Sequence, residues 1–246
     1  MNFCKVIVVT AMAVVLGSSG IIFPQQKAEA FSLGDVGGLL GGLFGGKVVD
    51  INIDGLSNQQ NSMLQNLGNS AMLMESSSID VLNALQLNPE LVSQKQMALD
   101  NLRSDTTNLD FQRASVEGDI PAEEMKAAAK AVLESGDQER IEALNSSIRA
   151  SENKRIAADV CMALAAKDAV GIIRNAVIGI QQGNNVDGLQ TLLSTAQAAK
   201  TIIDAQNHHL KILNTALKDY KAKQNIKAPK KSDVDVSAAL AGLQQE

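Results

Sequence analysis

The sequence feature that most constrains the fold is a long repeat of apolar residues between positions 187 and 220. These residues recur at alternating spacings of three and four, which places them in one stripe along an α-helix. A stripe sustained over several heptads predicts knobs-into-holes packing against another helix, and one polar residue, Gln206, interrupts it. The predicted packing residues are Leu189, Leu192, Ala196, Ala199, Ile203, Leu210, Leu213 and Leu217.

A second long helix is predicted directly before this one. Asp137 is a suitable N-cap, and helical periodicity continues from it to Gly183. A short turn at 183–186 would return the chain, so the two helices should pair antiparallel. The second half of the earlier helix is apolar around most of its circumference, which predicts a central place in a bundle. The expected fold class is therefore an elongated all-α helical bundle built on a long antiparallel helix hairpin.

Shorter helices are predicted to complete the bundle. Ser57 followed by Gln60 forms a capping box, which would begin a helix that ends near residue 87. Asn88 and Pro89 supply a cap and a first-turn proline for a second helix running towards residue 113. Pro121 would open a third, which ends at a glycine in position 136. Aromatic residues make up only 2% of the chain, which disfavours a β-sandwich or barrel.

Residues 227–246 follow the predicted bundle domain, residues 55–226, as a linker and a short carboxyl-terminal helix. Pro229 marks the linker, and helical spacing resumes over 233–245. This helix would either dock on the bundle or remain free. The lysines near it would contact anionic lipid or another acidic surface, or would simply form a solvated helix end. They are Lys218, Lys221, Lys223, Lys227, Lys230 and Lys231.

The amino-terminal residues 1–30 have the pattern of a signal peptide. Lys5 precedes an apolar run at 6–16, and Ala28-Glu29-Ala30 forms a small-residue cleavage site before Phe31. Export to the periplasm or the cell exterior is the expectation. The alternative is an uncleaved membrane anchor, because apolar character extends to Phe23.

Residues 31–54 form a Gly-rich apolar segment, in which glycines recur every fourth position. As a helix this glycine zipper would span about 28 Å over residues 31–49, long enough to contact a membrane or self-associate. Glycine is a poor helix former, so a flexible leader is the alternative. The residues that would form the smooth stripe and the opposite apolar face are Gly34, Gly38, Gly42, Gly46, Leu39, Leu40, Leu43 and Phe44.

Residues suited to chemistry are scarce. His208 and His209 are adjacent and would point about 100° apart on a helix, so they cannot share one metal ion. A ligand or base role for His209 competes with simple partial burial, and a nucleophile or crosslink role for Cys161 competes with a buried small hydrophobe. No phosphate-binding, zinc or hydrolase motif occurs in the sequence. We therefore expect no catalytic residue, no metal, no cofactor and no small-molecule substrate.

Two function classes remain after these exclusions. A net charge of −5 with interspersed signs argues against nucleic-acid binding. The first hypothesis is a non-enzymatic scaffold, assembly or interaction component of the cell envelope with a protein partner or self-association. The second is a membrane-active protein that uses its Gly-rich segment. In general layout the second resembles α-helical pore-forming toxins, and the first resembles helical minor-pilus subunits of secretion systems.

Overall fold

Helices form all the regular structure of the described part of this chain. The computed structural model describes residues 51–184 and 186–243, and no strand occurs within these ranges. The all-α bundle predicted from the sequence is therefore confirmed. The helices are α1 (Ile53–Ala84), α2 (Pro89–Ser104), α3 (Leu109–Ser115), α4 (Ala122–Ser135), α5 (Gln138–Gln181), α6 (Val186–Lys223) and α7 (Val236–Gly242), with a 3-10 turn at Lys231–Asp233.

The chain divides into two compact units. The first contains the described residues up to 60 together with residues 168–197, and the second contains residues 61–167 and 198–243. The division passes through α1, α5 and α6, away from the domain limits predicted at 54/55 and 226/227. The predicted Gly-rich segment lies outside the described residues except for its last four positions, and the predicted signal peptide lies wholly outside them.

The predicted long hairpin is formed by α5 and α6. In the second unit, the hydroxyl of Tyr220 near the end of α6 donates to the backbone carbonyl of Ile141 near the start of α5 at 3.3 Å. In the first unit, Leu189 near the start of α6 lies against Gly179 near the end of α5. The start of each helix therefore meets the end of the other, and the pair is antiparallel.

The most deeply enclosed stretch of the second unit belongs to α1. Residues 70–78 are all buried, so this part of the helix is covered around its whole circumference. Gly68 lies just before that stretch, and a β-carbon there would stand 2.0 Å from the carbonyl oxygen of Thr106. Only a residue without a side chain allows the loop after α2 to approach this closely.

The predicted central position of α5's second half is wrong. Leu164 is 46% exposed and Val170 is 55% exposed, and Lys167 and Arg174 are exposed on the same helix. Alanines form much of the buried face, and their small side chains allow close packing on one side only. The two charged side chains keep the opposite side in water.

The predicted limits of the first two helices also need correction. α1 begins one turn before Ser57, because the side chain of Asn52 accepts a hydrogen bond from the backbone N–H of Gly55 at 2.9 Å and caps the helix there. The second predicted helix is interrupted after Ser104. Asn108 restarts the chain as α3 by accepting from two backbone N–H groups. Both errors reflect side-chain caps that compete with helix continuation.

Other predicted helix ends agree with the structure. Asn88 caps α2 by accepting from the N–H of Leu91, and Pro89 is its first residue. α4 ends at Ser135, and the predicted cap Gly136 follows it in a left-handed conformation with φ of 67°. The last helix is shorter than the predicted 233–245, since Asp235 caps it and places its start at Val236.

The carboxyl-terminal segment docks on the second unit. Lys231 forms an ion pair with Asp159 at 3.0 Å. The guanidinium of Arg103 donates to the backbone carbonyl of Leu243, whose side chain is 1% exposed. Of the two alternatives left open by the sequence, docking is the one observed.

Candidate functional site

All eight predicted packing residues of α6 are buried. Of the first four, three belong to the first unit and one to the second, and each is at most 5% exposed: Leu189, Leu192 and Ala196, followed by Ala199. The remaining four are Ile203, Leu210, Leu213 and Leu217, all at most 6% exposed. The predicted glycine-zipper residues, positions 34–46, lie outside the described part of the chain.

The second unit contains a set of buried polar side chains, here named the polar layer, whose members come from four helices. They share low exposure, and most of them form hydrogen bonds or ion pairs with another helix. Its members are Ser70, Glu75, Ser77, Lys95, Ser151, Glu152, Arg155, Gln206 and His209.

Gln206 is the polar residue that interrupts the α6 stripe, and it is fully buried. Its amide oxygen accepts a hydrogen bond from the hydroxyl of Ser70 on α1 at 2.8 Å. Its amide nitrogen donates to the backbone carbonyl of Leu67 at 3.4 Å. The Gln206 side chain therefore holds α6 against α1 through buried hydrogen bonds.

A buried ion pair joins α1 to α2. The ammonium of Lys95 lies 3.1 Å from one carboxylate oxygen of Glu75 and 3.3 Å from the other, with side-chain exposures of 10% and 5%. Burial raises the pKa of the Glu75 carboxyl, while the charge and hydrogen bond of Lys95 act in the opposite direction. Removing either partner would leave the other without compensation in a dry environment.

A second charged group joins α5 to α6. One oxygen of the Glu152 carboxylate accepts from Arg155 at 2.7 Å and from Lys221 at 2.9 Å, and its carboxylate is 1% exposed. Close by in sequence, Lys154 reaches α1 through an ion pair with Asp80 at 3.0 Å. Charge-assisted hydrogen bonds of this kind hold helices in a defined register.

Serines complete the contact between α1 and α5. The hydroxyls of Ser77 and Ser151 are 2.7 Å apart, and both residues are at most 3% exposed. No specific signal in the sequence marked these positions, because a run of Glu and Ser in a helix usually indicates a solvated face. The available signal was that Met74, Ser78 and Val81 share a helical stripe with this run.

His209 and Cys161, the two residues that the sequence analysis considered for a chemical role, are both buried. Burial lowers the pKa of His209, the positive charges of Lys95 and His208 lower it further, and Asp119 opposes them. Burial raises the pKa of the Cys161 thiol to about 11, so the reactive thiolate is suppressed. In the described ranges, no three His, Cys, Asp or Glu side chains come together in a way that could hold a metal ion.

The predicted lysine cluster is divided by the structure. Lys221 and Lys231 are engaged with Glu152 and Asp159. Lys218, Lys223, Lys227 and Lys230 are exposed. Only part of the cluster is therefore available to a partner.

No described helix is long and apolar enough to cross a membrane. No protein-family model, curated protein or solved structure matches the chain.

Proposed function

We propose that this chain is an exported, non-enzymatic helical protein that serves as a scaffold, assembly or interaction component of the cell envelope. The observation that carries the proposal is the polar layer. Its carboxylates pair with ammonium groups of neighbouring helices: Glu75 of α1 with Lys95 of α2, and Glu152 of α5 with Lys221 of α6. Buried polar groups of this kind hold the helices in register. Contacts with partner proteins would then use the outer surface of the bundle.

Export is supported by the signal-peptide pattern of residues 1–30. A helical bundle after such a leader fits a structural part of an envelope assembly. The single mature cysteine is buried at 2% exposure, so the fold rests on packing without an internal disulfide after removal of the leader.

The test is fractionation of cells that produce the chain, followed by crosslinking of the envelope fraction and extraction in mild detergent. We expect a processed protein that begins at Phe31 and crosslinks to itself or to a constant set of partners. A full-length, uncrosslinked protein in the cytoplasmic fraction would contradict the proposal.

A matched deletion of residues 31–46 separates the scaffold function from membrane activity. The scaffold proposal predicts that the purified mature chain does not release dye from lipid vesicles, with or without these residues. Dye release by the mature chain that disappears on deletion would instead establish the membrane-active alternative.

A further inference from the structure

Lysines from two helices meet around one cleft of the second unit. The cleft lies between α4 and the carboxyl-terminal part of α6 and has a volume of about 90 Å³. Three ammonium groups and one carboxylate surround an apolar floor that includes the ring of a buried tyrosine. The lining residues are Lys126, Lys130, Lys223 and Asp219 at the rim, with Ala129, Leu133, Ala216 and Tyr220 beneath.

The cleft carries a net positive charge, because three lysines and one aspartate line it. Among the described residues, neither Lys126 nor Lys223 has a carboxylate within ion-pair distance. Lys130 lies 3.5 Å from Glu134, but both side chains are 67% exposed, so solvent screens this pair. Lys126 and Lys130 of α4 thus lie beside the same cleft as Lys223 of α6. The spacing of residues in the sequence did not predict this proximity.

We propose that this lysine cleft binds the phosphate of an anionic lipid headgroup at a membrane surface. The ammonium groups at the rim supply the charge that binds a phosphate, and the small volume suits the polar end of a lipid whose acyl chains stay in the bilayer. Small-molecule sites usually enclose about 300–1,000 Å³. The cleft is much smaller, so it can hold only one end of a ligand while the rest of that ligand stays outside. A headgroup projecting from a bilayer meets that condition.

The charge distribution of the whole chain supports a localised contact. The net charge is −5, so an anionic membrane repels the chain as a whole and attracts it only where lysines are concentrated. Lys218, Lys227 and Lys230 lie in the same stretch of chain as Lys223 and are exposed. They add to the positive charge of this stretch of chain.

The experiment measures cosedimentation of the mature full chain with vesicles of phosphatidylcholine containing phosphatidylglycerol. Lys126→Gln combined with Lys223→Gln is compared with the matched control Lys167→Gln combined with Lys211→Gln. The control removes the same charge from two exposed lysines that do not line the cleft. Both variants retain residues 31–49, so binding through that segment is equal in the two.

We expect the cleft variant to bind about thirtyfold more weakly than the native chain, while the control binds within about threefold of it. Raising the salt concentration should release the native chain. Tyr220 is the only tyrosine, and the chain has no tryptophan, so tyrosine emission reports on the cleft directly and should change on vesicle binding.

Several results would overturn the inference. They are absence of native binding to anionic vesicles, equal loss in the two double variants, and binding that persists at high salt. A change of tyrosine emission with inorganic phosphate but not with vesicles would also overturn the lipid assignment. None of these outcomes decides the scaffold proposal, which depends on export and crosslinking.

Discussion

The hydroxyl of Ser70 donates a 2.8 Å hydrogen bond to the amide oxygen of Gln206, and both residues are 0% exposed. This bond joins α1 to α6 at the one polar position of an otherwise apolar stripe. A polar residue at such a position is known to specify helix register at a cost in stability.

Gln206→Leu alone should nevertheless destabilise the chain by about 1–3 kcal/mol, because the Ser70 hydroxyl loses its partner in a dry site. Replacing both residues, Ser70→Ala with Gln206→Leu, should recover much of that loss. Guanidinium unfolding of Gln206→Leu, of Ser70→Ala alone and of the double variant measures this coupling as a double-mutant cycle. Additive single effects would show that the two side chains do not cooperate.

The buried Glu75–Lys95 ion pair allows a test of how much an unpaired charge destabilises the fold. Lys95→Met should cost about 3–5 kcal/mol at neutral pH, because it leaves a buried carboxylate without its cation. This loss of unfolding free energy should become smaller on acidification. Burial raises the pKa of the Glu75 carboxyl, so its protonated form favours the folded state, and that contribution disappears as the pH rises through the folded pKa. Urea unfolding over a pH series checks this.

The paired replacement Glu75→Leu with Lys95→Met is the control for that experiment. It should fall much closer to the native stability than Lys95→Met alone, because no charge remains buried. A double variant as unstable as the single one would mean that packing volume, not charge, causes the loss.

His209 makes the bundle sensitive to mild acid. Its pKa lies below the usual 6.5, so the fold favours the neutral imidazole, and stability is lost as the pH falls from 6.5 through the folded pKa. His209→Gln should flatten this part of the stability curve, whereas His208→Gln at the exposed neighbouring position should reduce it only slightly, because burial, the largest cause of the lowered pKa, remains. Thermal melts between pH 7 and 5 provide the measurement; an unchanged slope in His209→Gln would refute the assignment.

Gly68→Ala should destabilise the fold by about 1–3 kcal/mol through overpacking. The added β-carbon would stand 2.0 Å from the Thr106 carbonyl oxygen, so the loop between α2 and α3 would have to move. Gly242→Ala is the matched control, since nothing lies within 4 Å of its added β-carbon. Equal melting temperatures for the two variants would argue against this close approach.

Cys161 should resist thiol reagents in the folded chain. It is 2% exposed, and burial raises its pKa to about 11, so both access and thiolate formation are suppressed. In protein that begins at Phe31, Cys161 is the only cysteine, and its labelling by a chromogenic disulfide should follow unfolding. Complete labelling of the native protein within seconds would contradict this burial.

Periodicity was enough to predict the long helices and most of their ends. The stripe of α6 predicted which residues are buried, and Asn88 and Gly136 marked helix limits because caps depend on local backbone geometry. Prediction failed where two local signals competed. At Ser104 the helical pattern continued, but Asp105 is extended and ends α2, and Asn108 then caps two backbone N–H groups to begin α3.

The amino-acid sequence by itself determined that this chain forms helices, how long the main pair is, and which stripe of α6 turns away from water. These properties depend on spacing and on contacts between near neighbours in the chain. Only the tertiary structure decided that Glu75 and Lys95 are paired inside the bundle, that α5 keeps an exposed side, and that lysines of α4 and α6 share a cleft. Such relationships depend on which helix faces which, and periodicity gives the direction of a face without naming its partner.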